Sequence, residues 1–168
     1  MFESHFQTFD EPAAGVRDPA RLEGLRQQFL QRGMEGFIVP RADEYQNEYV
    51  PRCAERLAWL TGFTGSAGLA IVLKEKAAIF VDGRYTLQVR REVDGKLFTP
   101  VNPAETSPER WIEDNLRPSW RLAYDPWLHT PGQIERFEKA AKTAGGVLVP
   151  VRNNPIDLIW TDRPEPPR

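Results

Sequence analysis

An α/β sandwich built on one mixed sheet is what this sequence predicts, on three observations. Segments with the 3.6-residue period of helices alternate along the chain with short apolar runs of strand length. Two of those runs, 69–73 and 77–81, are separated only by Lys74-Glu75-Lys76. That connection is too short for a crossover, so they pair antiparallel, as a hairpin among connections that carry helices. The 168 residues, 40% hydrophobic and 11% aromatic with a formal charge of -2, suffice for one compact domain with a real core.

Residues 1–16 are polar, hold Pro12 and Gly15 and show no period, which reads as a flexible N-terminal arm. Asp18-Pro19 then starts a helix, with Asp as the cap and proline at the first helical position, where no N–H is missed. Leu22, Leu25 and Phe29 follow on one face, and Gly33 supplies the left-handed stop. Gly36-Phe37-Ile38-Val39-Pro40 is too short for a helix and reads as a buried strand ended by proline. Residues 41–52 form a polar loop punctuated by Tyr45 and Tyr49, and residues 54–60 a short helix with Leu57 and Leu60 on one side. After the hairpin, Asp82-Gly83 closes the second strand, and residues 84–93 form a helix that partly buries Leu87 and Val89.

Residues 96–101 are a further strand. Ser107-Pro108-Glu109 opens a helix whose period is marked by Trp111, Ile112, Asn115 and Leu116, and residues 121–124 are again a strand. Thr130-Pro131-Gly132-Gln133 spells a capping box, and its helix turns Ile134, Phe137, Ala140 and Ala141 inward before stopping at Gly145-Gly146. Residues 147–151 are the last strand, ahead of a short segment at 155–160. The stretch 163–168 holds three of the 15 prolines, the composition of an extended spacer. The expected organisation is therefore a domain over 17–160 and a Pro-rich linker over 161–168 leading to further chain.

Composition excludes several classes of function. Lys+Arg 22 against Asp+Glu 24 leaves no basic excess and no basic block, so neither nucleic acid nor an anionic membrane is an expected partner. No apolar run approaches the ~20 residues of a membrane span, and the first ten residues lack the basic-then-apolar order of a secretory signal. The one cysteine, Cys53, cannot close an internal disulfide, which makes a reducing cytoplasm the expected compartment. With only His5 and His129 present, histidine-rich metal catalysis is excluded from this chain.

Two runs stand out as candidates for a site. Gly62, Gly65 and Gly68 punctuate the first, and their spacing fits neither a dinucleotide fingerprint nor a P-loop. It also misses a nucleophile elbow: Thr64 stands where the first glycine belongs, and no histidine base accompanies Ser66. A tight helix-to-strand turn explains the run, with at least one glycine at positive φ or at a close approach. The second run, Asp82-Gly83-Arg84-Tyr85, sits between a strand end and a helix start, where ligands gather in open α/β sheets. The Arg84 guanidinium offers a planar fork for a carboxylate. Alternatively, Asp82 caps the helix and pairs with Arg84, and residue types alone do not choose between the two. His5 and His129 read as surface or loop residues, Cys53 as a semi-buried inert thiol, and Glu44, Glu48 and Tyr49 as loop residues polar for solubility.

Several of these segments together resemble a known family. Arg56-Leu57-Ala58-Trp59-Leu60-Thr61-Gly62-Phe63-Thr64-Gly65-Ser66-Ala67-Gly68, followed by Phe80-Val81-Asp82-Gly83-Arg84-Tyr85, resembles the N-terminal domain of Xaa-Pro aminopeptidases. These are the aminopeptidase P branch of the creatinase/prolidase superfamily. The run from Val39 to Tyr49 is similar to the family's loop after the first strand, with Tyr45 where many members have histidine. Ile159-Trp160-Thr161-Asp162-Arg163-Pro164 is similar to the exit toward the middle domain of the three-domain form.

The resemblance implies a ribonuclease-H-like domain, a mixed sheet with helices on both faces, that walls a substrate cleft and supports a homodimer. It implies two divalent metal ions, of Mn or Zn type, in a downstream domain whose Asp, Asp, His, Glu and Glu ligands have no matching motif here. In that domain a metal-bridging hydroxide attacks the bond before proline. No catalytic or metal-ligating residue is thus expected in this chain, which alone is expected to be inactive and to need no cofactor. The family's substrate-binding arginine falls on Arg84, whose fork would hold the far carboxylate of a short peptide with a penultimate proline. Two readings of different class follow: the cleft and dimer module of a cytoplasmic Xaa-Pro aminopeptidase, or a non-catalytic protein-binding module of the same fold. A serine hydrolase built on Ser66 fails for want of a base.

Overall fold

The computed structural model of the chain describes residues 18–167, so the arm expected over 1–16, His5 included, lies outside the described residues. Helix α1 (Pro19–Gln31) starts where the Asp18 carboxylate accepts the Ala20 N–H at 2.9 Å. Strand β1 (Gly36–Pro40), a 3-10 turn at Arg52–Ala54 and helix α2 (Arg56–Thr61) lead to the hairpin of β2 (Leu69–Leu73) and β3 (Ala77–Phe80). Then come α3 (Thr86–Glu92), β4 (Thr99–Val101), α4 (Pro108–Asn115), β5 (Arg121–Tyr124), α5 (Pro131–Thr143), β6 (Val147–Pro150) and α6 (Pro155–Ile159). The capping box at α5 is formed as expected, with Thr130 and Gln133 bonding each other's backbone.

The strands make one six-stranded mixed sheet in the order β4-β3-β2-β1-β5-β6. Strand β2 pairs antiparallel with both neighbours, while β3–β4, β1–β5 and β5–β6 are parallel. Side chains alternate across it. Phe37, Val39, Ala70, Val72 and Ile79 pack with Leu25, Phe29, Leu57, Val89 and Ile156 of α1, α2, α3 and α6. Ile38, Ile71, Leu73, Phe80 and Leu122 pack with Ile112, Phe137 and Ala141 of α4 and α5. Helices therefore cover both faces, which is why the central strands are continuous apolar runs instead of alternating ones.

Local hydrogen bonds account for elements shorter than the sequence suggests. The strand expected over 96–101 keeps only Thr99–Val101, because Asp94 takes the N–H groups of Lys96, Leu97 and Phe98 into a turn. The helix expected over 54–60 begins at Arg56, after Glu55 at φ -76° and ψ 56° interrupts it. Two burial expectations are corrected. Leu87 is 75% exposed, since α3 turns Val89 and Glu92 inward instead. His129 lies in a loop, as read, but is buried there, because the 3-10 turn Pro126–Leu128 folds its connection back and sets the imidazole edge-on to Tyr124 and Phe137, with ring centroids 6.0 and 5.9 Å away.

The last segment packs closely against the domain. Arg56, 3% exposed, donates to both Asp157 carboxylate oxygens at 2.7 and 3.0 Å. Arg163 adds a contact to Asp157 at 3.1 Å and donates from Nε to the Cys53 carbonyl at 2.6 Å. Beside this cluster runs a ladder of rings and cations. Arg21 lies 4.6 Å over Trp59, Trp59 stacks on Trp160 at 5.6 Å, and Arg163 lies 5.9 Å from Trp160.

Two stability predictions follow from these buried groups. Asp157→Ala leaves the buried Arg56 charge uncompensated and should cost about 3 kcal/mol, read by urea unfolding. Burial pushes the His129 imidazole down to about 4, outweighing the pull of Asp125 and a hydrogen bond with Gln133. A free histidine titrates near ~6.5, so between there and about pH 4 the unfolded chain takes up a proton that the folded chain refuses. The contribution is complete above about pH 6.5 and is lost as pH falls, roughly 2 kcal/mol at pH 5 relative to pH 7.5. His129→Gln should flatten that part of the pH dependence; an unchanged slope would assign the proton uptake elsewhere.

Candidate functional site

Because β2 runs against the rest, β1, β3, β4, β5 and β6 all end at one edge of the sheet and β2 begins there, with Pro40 opposite Leu69 and Leu69 opposite Phe80. The loop after β1, the glycine-rich turn into β2, the Asp82–Tyr85 run after β3 and the connection after β5 gather at this edge. Both runs singled out in the sequence are thus brought together.

The glycine turn is tight for two separate reasons. Gly62 ends α2 at φ 84°, a left-handed conformation that a side chain disfavours. Gly65 lies against Phe63, where a Cβ would fall on the ring itself. The turn is then clamped to α3. Thr64 donates its N–H and its hydroxyl to Glu92 at 3.0 and 2.6 Å, and Gln88 donates to the same carboxylate at 2.9 Å. The Ser66 hydroxyl is hydrogen-bonded to the Tyr85 phenol, and Phe63 meets Tyr85 edge-on at 5.6 Å. Ser66 is therefore a turn residue held by a phenol. Arg41 crosses from the other side, donating to the Ser66 carbonyl at 2.9 Å and to Glu55 at 3.3 Å.

Arg84 stands on this clamped edge. The Asp82 carboxylate accepts the Arg84 backbone N–H at 2.9 Å, capping the 3-10 turn Gly83–Tyr85, and pairs with the Arg84 side chain through Nε at 3.2 Å and Nη2 at 2.9 Å. The guanidinium lies 5.3 Å from the Tyr85 ring. Hydrogen bonds from the Arg84 side chain, then from its backbone, hold the Asp82 carboxyl below the usual range, and the Arg84 pKa is raised in return. The Arg84 side chain is nevertheless 74% exposed, and its Nη1 has no partner among the described residues. Exposed ion pairs hold little. The local pair and an accessible fork therefore coexist.

Cys53 is buried, as its semi-buried reading leaned, while Glu44, Glu48 and Tyr49 are exposed. Three positioning groups were missed in the sequence. Glu92 is a carboxylate only 7% exposed, and its signal was its place beside Val89 and Val93 on the inward face of α3. Asp43 is buried and accepts the N–H groups of Tyr45 and Asn47 at 3.0 Å, an Asx-type turn that the Asp-x-Tyr-x-Asn spacing allows. Arg41 gave no local signal.

The sequence profile of the creatinase/prolidase N-terminal domain matches residues 21–164. The chain belongs to this family. It is 33% identical over 157 residues to Xaa-Pro aminopeptidase 2 of Sus scrofa, covering 93% of this chain and 23% of that protein. It is 37% identical over 153 residues to aminopeptidase P2 of Arabidopsis thaliana, covering 88% and 22%. Among solved structures, the X-prolyl aminopeptidase of Caenorhabditis elegans, a cytosolic enzyme with a di-nuclear active site, superposes with a TM-score of 0.81 at 27% identity, over 87% of this chain and 26% of that one. The N-terminal domain of the cytoplasmic peptidase PepQ of Mycobacterium tuberculosis shares the fold, with a TM-score of 0.63 at 19% identity over 84% of this chain and 99% of that one. The creatinase/prolidase chain described here spans about a quarter of the length of the curated relatives it matches.

Among the described residues no cluster of three or more His, Cys, Asp or Glu side chains is placed to hold a metal ion. The described residues do not make a dinuclear centre. No helix among the described residues is long and apolar enough to cross a membrane.

The turn geometry predicts its own tolerance. Gly62→Val should cost on the order of 1–3 kcal/mol through its positive φ, and Gly65→Val at least as much through collision with Phe63. Ser66→Ala loses one exposed hydrogen bond and should cost about 1 kcal/mol or less. Denaturant midpoints of the three variants check the ranking.

Proposed function

We propose that this chain is the N-terminal, non-catalytic part of a cytoplasmic, metal-dependent Xaa-Pro aminopeptidase, which removes the residue before a penultimate proline. The observation that carries the reading is that the chain is matched over about nine-tenths of its length, at 33% and 37% identity, by an Xaa-Pro aminopeptidase and an aminopeptidase P. In this reading the domain over 17–160 walls the substrate cleft and supports a homodimer. The linker over 161–168 leads to the domain that holds two divalent metal ions.

Arg84 is the residue assigned to substrate. Its place at the strand-end edge, its exposure and an Nη1 without a partner among the described residues support a role in holding the far carboxylate of a short peptide. An incoming carboxylate displaces Asp82 at little cost, because that pair is exposed to solvent. Glu92 and Tyr85 keep the edge in place while the exchange occurs. A grip on the remote end of the peptide is equal in ground and transition states, so it acts on affinity and leaves the chemical step unchanged.

In the full-length parent protein, Arg84→Ala should raise KM for short Xaa-Pro peptides about tenfold or more with kcat nearly unchanged. The wild-type enzyme acting on the same peptides with amidated C-termini should show a similar loss, and the variant should not distinguish the two. Equal kinetics of variant and wild type on free-carboxylate peptides would remove Arg84 from the substrate site. A parent protein without Xaa-Pro hydrolysis would favour the protein-binding module.

A further inference from the structure

The same sheet edge carries a second concavity, on the opposite face from α3 and Arg84. Strands β1 and β5 are parallel neighbours whose connections leave in opposite directions, β1 toward β2 and β5 toward β6. Beyond their ends this topological switch point opens into a crevice of roughly 290 Å³, framed by Pro40, Leu69, Leu128 and Phe137. The volume suits a compact ligand.

Two residues of its lining each carry a buried side-chain nitrogen that is unpaired among the described residues: Arg41 at Nε and His129 at Nε2. The other Arg41 nitrogens already donate to the Ser66 carbonyl and to Glu55, so Nε is the group left over. His129 is only 7% exposed, and unmet polar atoms at such burial are rare in folded chains. The charges on the wall are Arg41 and Arg136 against Glu109, which Arg136 holds at 3.4 Å. Pro108 and Gln133 bring the first turns of α4 and α5 to the same wall, with their partial positive charge. Asp125 acts on the imidazole from its own connection, and Glu135 and Glu138 share with it a separate, open concavity.

We propose that this crevice binds a compact oxyanion, the carboxylate or phosphate group of a small molecule, held by Arg41, Arg136 and His129. The bound anion provides the acceptor that Arg41 Nε lacks and a countercharge for the imidazolium. Protonated, His129 presents an N–H at Nε2 as well, so anion binding and proton uptake favour one another. The proposal does not depend on the aminopeptidase reading, since it concerns the other face and needs no downstream domain.

The chain has two histidines, so imidazole proton resonances are easily separated, and His5→Gln identifies the His129 signal. Inorganic phosphate and, separately, acetate are titrated into the chain at fixed ionic strength set by chloride. The expected result is a saturable shift of the His129 resonances and a rise of about one unit in its titration midpoint with at least one anion. A response to phosphate alone assigns a phosphate-bearing ligand, and a response to acetate alone a carboxylate. Arg136→Ala, whose parent side chain is 61% exposed, should keep the fold and weaken the response about tenfold. No saturable shift beyond chloride, or a response that Arg136→Ala leaves unchanged, would overturn the proposal.

Discussion

Lys74-Glu75-Lys76 cannot carry the chain across the sheet, so β3 must return antiparallel beside β2, with the Leu73 N–H bonding the Lys76 carbonyl at 2.7 Å. Most of the architecture depends on that reversal. It sets β3 against β2 and, because β1 also runs antiparallel to β2, delivers the end of β3 to the edge where β1 and β5 end. A connection long enough for a helix would have allowed β3 to run parallel to β2, leaving Asp82–Tyr85 at the far end of the sheet from the glycine turn. The meeting of Tyr85 with Phe63 and Ser66 is therefore a product of topology before it is one of side-chain chemistry.

Burial decides which charged pairs define the fold and which remain available. Arg56 with Asp157 and Arg84 with Asp82 are both bidentate arginine–carboxylate pairs. In the first the guanidinium is almost wholly removed from water, so losing Asp157 strands its charge. The second lies in solvent, where the guanidinium gains little from Asp82. Glu92 is a third case, a buried carboxylate made tolerable by three donors from Thr64 and Gln88.

Elements were legible in the sequence wherever a local rule governs them. Asp18-Pro19, the Thr130–Gln133 box and the apolar spacing of Leu22, Leu25 and Phe29 need no tertiary partner to be read. Strand β4 is shorter than its sequence suggests because Asp94 competes locally for the backbone donors of the residues ahead of it. Of the candidate site, Asp82's cap and the constraint on Gly62 were visible for the same local reason. The burial of His129 and the clamp of Glu92 on Thr64 were not. Each depends on a partner brought near by the sheet, and neither residue type announces that partner.

The ladder from Arg21 through Trp59 and Trp160 to Arg163 joins α1 to the segment that follows α6. The accompanying bonds span 101 positions between Arg56 and Asp157 and 110 between Cys53 and Arg163. Contacts so distant in sequence cannot nucleate early, because the loop they close carries most of its entropy cost before any reward. During vectorial synthesis, α1 and α2 emerge long before Asp157 does, and Arg56 lacks its bidentate partner in the interval. On entropic grounds the sealing of this flank is expected to follow the local helices and the hairpin, whose contacts close much shorter loops.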